Sequence, residues 1–96
     1  MGQIEFVLRF KAIVNDVTLH CEKLFTLPFV PQIGMGFCVS RRYHELTVKG
    51  VWWTDNGDEK ELAVVCNTIT HRTTLEDSEN VEAELRSEGW DVHKST

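Results

Sequence analysis

The chain has 96 residues, 42% of them hydrophobic and 26% charged, with a formal charge of −5. That length is one domain with enough apolar material for a core, and the composition is that of a folded globular chain, not a disordered one. Nucleic-acid binding is disfavoured because it needs clustered Lys and Arg, whereas residues 49–96 carry eleven acidic against five basic side chains and residues 1–48 four against five.

The opening Met1-Gly2-Gln3-Ile4-Glu5 has no basic segment followed by an apolar run, so no signal peptide is expected. No stretch approaches the roughly 18–20 apolar residues of a membrane helix. Phe6 stands where a myristoylation signal wants Ser or Thr. Ile4, Phe6, Leu8, Phe10, Ala12 and Val14 are apolar at every second position, with Glu5, Arg9 and Lys11 between them, which predicts a strand with one wet face. Asn15-Asp16 is a turn dipeptide, although a primed hairpin turn prefers Gly second. A second strand follows, with Val17, Leu19, Cys21, Phe25, Leu27 and Phe29 on one parity and Lys23 as its only misfit.

Pro28 and Pro31 cannot donate to a ladder, so the end of this strand is expected to be an edge, a bulge or a bend. Gly34 and Gly36 alternate with Ile33, Met35, Phe37 and Val39, a spacing that lets a strand curl sharply or another backbone approach closely. Ser40-Arg41-Arg42 reads as a polar turn. A strand over 43–54 then switches parity at Lys49-Gly50, as a bulge would make it do. Asp55-Asn56-Gly57-Asp58 is the strongest turn signal in the chain. The run Leu62-Ala63-Val64-Val65-Cys66 predicts a central strand over 60–70, covered on both faces.

After residue 70 the period changes. Thr74-Leu75-Glu76-Asp77 resembles a capping box, with Ser78 a second N-cap candidate. Val81 and Leu85 lie four apart, and Gly89 suits the left-handed residue that ends a helix, with Trp90 packing back on the last turn. The expected architecture is one α+β domain over 1–96. A curled, mostly antiparallel sheet of about five strands, SH3-like or a half-barrel, occupies 1–73; a helix covers 74–89; a short strand or tail covers 90–96.

Leu27-Pro28-Phe29-Val30-Pro31-Gln32-Ile33-Gly34, followed by Tyr43, Val48, Val51 and Trp53, resembles small uncharacterised bacterial proteins of mobile elements or gene cassettes that have an SH3-like or curled sheet. The resemblance covers under half the chain and its motif is structural. It implies a fold and a bacterial setting, and it brings no catalytic residues.

Three cysteines, Cys21, Cys38 and Cys66, are odd in number and far apart, so reduced thiols and a cytoplasmic location are expected. Zinc sites use close pairs such as C-x₂-C. Cys66 and His71 are five apart, Cys38 and His44 six apart, and His20 and Cys21 point to opposite faces of a strand, so no metal is expected. Cys38 with His44 or His71 is the one thiol–base pair worth naming, and no local motif supports it as a nucleophile. Gly34-x-Gly36 lacks the third glycine and following helix of a phosphate loop. No catalytic residues and no cofactor are expected.

The aromatics carry the functional reading. Trp52 and Trp53 are adjacent on a strand and face opposite ways, so one indole is expected in the core and the other either points outward or is covered by the helix or the N-terminal strand. Together with Tyr43, Arg41, Arg42, Phe29 and Met35 they make a candidate binding surface of interface composition. The expected function is a non-enzymatic binding or assembly module with a protein partner, homodimerisation, no nucleic acid and no membrane. Two alternatives differ in class. One is a small-ligand protein with an aromatic-lined pocket. The other is an acidic inhibitor or nucleic-acid mimic presenting Glu76, Asp77, Glu79, Glu82, Glu84 and Glu88.

Overall fold

The computed structural model describes residues 2–43, 45–71 and 77–95. Strands β1 (Ile4–Val14) and β2 (Val17–Leu27) form one antiparallel hairpin, in register from Ile4↔Leu27 to Val14↔Val17. Its two turn residues, Asn15 and Asp16, both take positive φ, 48° and 70°. Short polar side chains tolerate that region, so Asp serves where glycine was expected. The alternation decides the faces: Phe6, Leu8, Phe10, Ala12 and Val14 are all buried, joined by Leu19 and Cys21 from β2.

The sheet has six strands in the order β3-β4-β5-β1-β2-β6, with β3 at Gly36–Phe37, β4 at Leu46–Asp55, β5 at Lys60–His71 and β6 at Asp91–Ser95. It is a curled half-barrel. β5 lies centrally, antiparallel to β4 and parallel to β1, so the sheet is mixed. The Lys49-Gly50 bulge is present as a register shift against β5. A second shift lies between β5 and β1, where Arg9 faces Val65 and Lys11 faces Thr68. The strand expected over Ile33–Val39 shortens to β3. Ahead of it Met35 N donates to Gln32 O at 3.0 Å, with Gly34 at φ +93°. That is the third residue of a tight turn, a position closed to most side chains.

Helix α1 runs from Ser78 to Ser87, shorter than the expected 74–89; positions 74–76 of the supposed capping box lie outside the described residues. Asp77 is the N-cap, its side chain accepting from Glu79 N at 2.8 Å. At the other end Gly89 (φ +93°) donates to Arg86 O at 3.0 Å and Trp90 N to Leu85 O at 3.1 Å. These two bonds satisfy carbonyls that would otherwise be orphaned and turn Trp90 back over the last turn. Val81, Leu85 and Trp90 bury against the same sheet face as Phe10, whose ring meets Trp90 edge-on at 5.0 Å and Tyr43 edge-on at 5.4 Å. Lys23, the misfit on the apolar parity of β2, donates to Glu88 O at 2.6 Å and lies 5.8 Å from the centre of the Trp90 ring. A cation at the C-terminal end of a helix complements its dipole and its free carbonyls. Among the described residues, no helix is long and apolar enough to cross a membrane.

Candidate functional site

One face of the sheet is sealed by α1, Trp90, Tyr43 and Phe37. The opposite face carries Val7, Arg9 and Lys11 of β1. Reading the registers across it, Leu24 faces Val7, Val7 faces Ala63, and Ala63 faces Trp52. These four side chains make an apolar row spanning β2, β1, β5 and β4, with its ends open to solvent: Leu24 is 56% and Trp52 63% exposed. Beside the row, Arg9 Nε bonds Glu22 Oε2 at 3.0 Å and Arg9 Nη2 bonds Glu61 Oε1 at 2.7 Å. The hydrogen bond to Glu22 pushes the guanidinium further above its ordinary value. Glu61 lies four residues back from Val65, the partner of Arg9, so the arginine side chain reaches past Ala63.

Trp53 is also 63% exposed, on the other face. Neither indole enters the core, and neither α1 nor β1 covers one. The reason is reach: β1 pairs with β5 only from Ala63 onward, and α1 packs on β2 and β6. The β4–β5 ribbon therefore extends past its neighbours, and residues 52–60 are all exposed. The Trp52 indole folds back along its own strand over Gly50, where an added Cβ would lie 3.1 Å from Nε1.

The ribbon also has an open edge. Val48 N donates to Met35 O at 2.8 Å, and Val48 O accepts from Gly34 N at 2.9 Å. Past Val48, among the described residues, nothing pairs with this side of β4. Asn56 N donates to Glu59 O. Strand alternation therefore turns the N–H and C=O of Trp52 and Thr54 toward β5 and those of Val51, Trp53 and Asp55 outward.

The remaining expected site residues lie elsewhere. Tyr43 is buried, 4% exposed, against Phe10. Arg42 pairs with Glu84 of α1, and Arg41 N donates to Glu88 Oε1 at 3.1 Å, so this loop serves to hold the helix end. Met35 is half-buried against the core, whereas Phe29 is exposed, as are Val30 and Ile33 of the same segment. Sequence reasoning missed Leu24 and Val7. Both are apolar on the wet parity, and counting back from the Asn15-Asp16 turn would have set them opposite each other.

The two alternatives meet specific geometry. A cleft of about 440 Å³ lies where β1, β2, β5 and β6 meet, lined by Arg9, Lys11, His20, Glu22, Thr68 and His93 with Phe10, Cys21, Val65 and Cys66; no tryptophan or methionine borders it. Of the acidic helix residues, Asp77 caps α1, Glu82 bonds Arg86, Glu84 bonds Arg42 and Glu88 bonds Arg41 N. Glu76 lies outside the described residues.

Cys21 and Cys66 are buried small hydrophobes; burial pushes their thiols up to about 12 and about 11. Cys38 is exposed, while His44 and the side chain of His71 lie outside the described residues. Among the described residues, no three His, Cys, Asp or Glu side chains gather as a metal set. Comparison with protein families, curated proteins and solved structures finds no match to this chain.

Proposed function

We propose that the protein is a non-enzymatic binding module acting through protein–protein contact, and that it self-associates. The observation that carries this reading is the pair of exposed indoles, Trp52 and Trp53, on a ribbon with an open edge. Indole is a large apolar group that folding normally covers, and tryptophan is among the side chains most enriched where partners bind. An exposed strand edge flanked by such groups is also an aggregation hazard unless something pairs with it. The apolar row ending in Trp52 widens the surface, and Arg9 with its two carboxylates supplies a polar border of the kind interfaces have.

Light scattering on a sizing column tests the reading, with the protein loaded from about 1 µM to about 1 mM to span weak association. The expected result is a mass that rises from one chain toward two as concentration increases. A single-chain mass throughout that range would overturn self-association.

A further inference from the structure

We infer that the cleft where β1, β2, β5 and β6 meet binds the oxyanion of a small molecule, a phosphate or a carboxylate, through Lys11 with Thr68, His20 and His93. None of residues 52–60 lines this cleft, so the site stands or falls apart from self-association.

A bulge makes room for the cleft. Val65 faces Arg9 and Thr68 faces Lys11, so two residues of β5, Cys66 and Asn67, stand opposite Phe10 alone. Such an insertion bends its strand and re-aims side chains. Cys66 belongs to the core, and Asn67 turns toward β4, where its Oδ1 accepts from Thr47 N at 2.9 Å. Neither side chain fills the space beside Lys11. About 440 Å³ is left there, within the size range of small-molecule sites.

The lining chemistry selects the ligand. Lys11 faces both Thr68 and His20, and His20 faces His93. One row across four strands therefore carries a hydroxyl, an ammonium and two imidazoles, with no carboxylate among them. Neighbouring strands lie about 4.8 Å apart, close enough for adjacent side chains of the row to share one ligand group. An ammonium offers N–H donors and no acceptor, and an imidazole offers at least one N–H in either charge state. Among the described residues Lys11 makes no ion pair, whereas Arg9, the other cation of the cleft, is held by Glu22 and Glu61. That pairing also takes up the charge of Glu22. Asp91, which faces Glu22, is exposed and does not line the cleft. His20 Nε2 lies 3.0 Å from Ser95 Oγ, which fixes the ring beside Lys11. An oxyanion matches this set because it accepts charge-assisted hydrogen bonds from several donors at once.

Amide NMR during titration with sodium pyrophosphate and, separately, sodium citrate tests the site, at constant ionic strength so that general screening does not change. The two probes distinguish a phosphate from a carboxylate preference. The expected result, for at least one probe, is saturable shifts at Lys11, Thr68, His20 and His93 with half-saturation below about 1 mM. Lys11→Glu is expected to weaken that binding at least about thirtyfold and His93→Ala about threefold or more. Both residues are exposed, so neither change opens the core. Lys60→Glu, on the ribbon, should leave binding within about twofold. Absence of saturation with both probes by about 20 mM, equal shifts at Lys49 and Lys60, or unchanged binding in Lys11→Glu would overturn the inference.

Discussion

Replacing Phe10 with alanine is expected to lower the unfolding free energy by about 3–5 kcal/mol, the range for a large ring removed from a packed core. Phe10 is where two separate pieces of chain meet the sheet: its ring contacts Tyr43, which anchors the loop before β4, and Trp90, which anchors the end of α1. Edge-to-face pairs contribute about 0.5–1.5 kcal/mol beyond area alone, and here both partners of the ring would lose one. A 96-residue domain is stable by only roughly 5–14 kcal/mol, so the variant would lose a large share of its stability. Urea titration followed by far-ultraviolet circular dichroism reads the loss. A change below about 1 kcal/mol, the level of an ordinary substitution, would mean that Phe10 does not join sheet, loop and helix in this way.

The opposite behaviour is expected of the ribbon. Changing Trp52 and Trp53 together to alanine removes two exposed side chains that contact little of the domain, so unfolding free energy should move by no more than about 1 kcal/mol. Self-association should instead weaken by at least about thirtyfold, the effect of losing a hot-spot contribution of about 2 kcal/mol. The same urea titration and the same light-scattering series measure both quantities. A large loss of stability with unchanged association would reverse the roles assigned to these residues. The two substitutions thus separate aromatics that hold the fold from aromatics left free by it.

Much of the architecture was legible because alternation and turn chemistry are local. The parity of Ile4 to Val14 found the buried face of β1, Asn15-Asp16 found the hairpin, and Lys49-Gly50 found the bulge. Gly89 and Trp90 announced the helix end, since only a left-handed residue followed by an apolar one makes that cap. The consecutive apolar run of β5 located it centrally. What stayed hidden depends on distant partners. Parity has no direction, so nothing in β5 signalled that it runs parallel to β1. Lys23 looked like an error in β2 because its partner, the Glu88 carbonyl, lies 65 residues away.

The candidate surface shows the same boundary. Alternation correctly sent Trp52 and Trp53 to opposite faces, but whether either face is covered depends on how far β1 and α1 extend, which no local pattern records. Tyr43, Arg41 and Arg42 had the composition of an interface. Tyr43 turns instead to the core and Arg42 to Glu84 of α1, while Arg41 stays exposed and meets α1 through its backbone N–H, because the loop before β4 must close the sheet against the helix. Leu24 and Val7 were visible only by combining two strands through their shared turn. Exposure is a property of neighbours, and it was the part that needed coordinates.

Amide hydrogen exchange along β4, followed by NMR at about 20 µM and about 1 mM protein, tests the open-edge account most directly, because each amide reports its own hydrogen bond. Trp52 and Thr54 should exchange slowly at both concentrations, held by β5. Val51 and Trp53 should exchange freely in the dilute sample and slow by about tenfold or more in the concentrated one, as a second copy engages them. Rates at Val51 and Trp53 that are already slow when dilute, or that do not change with concentration, would contradict it.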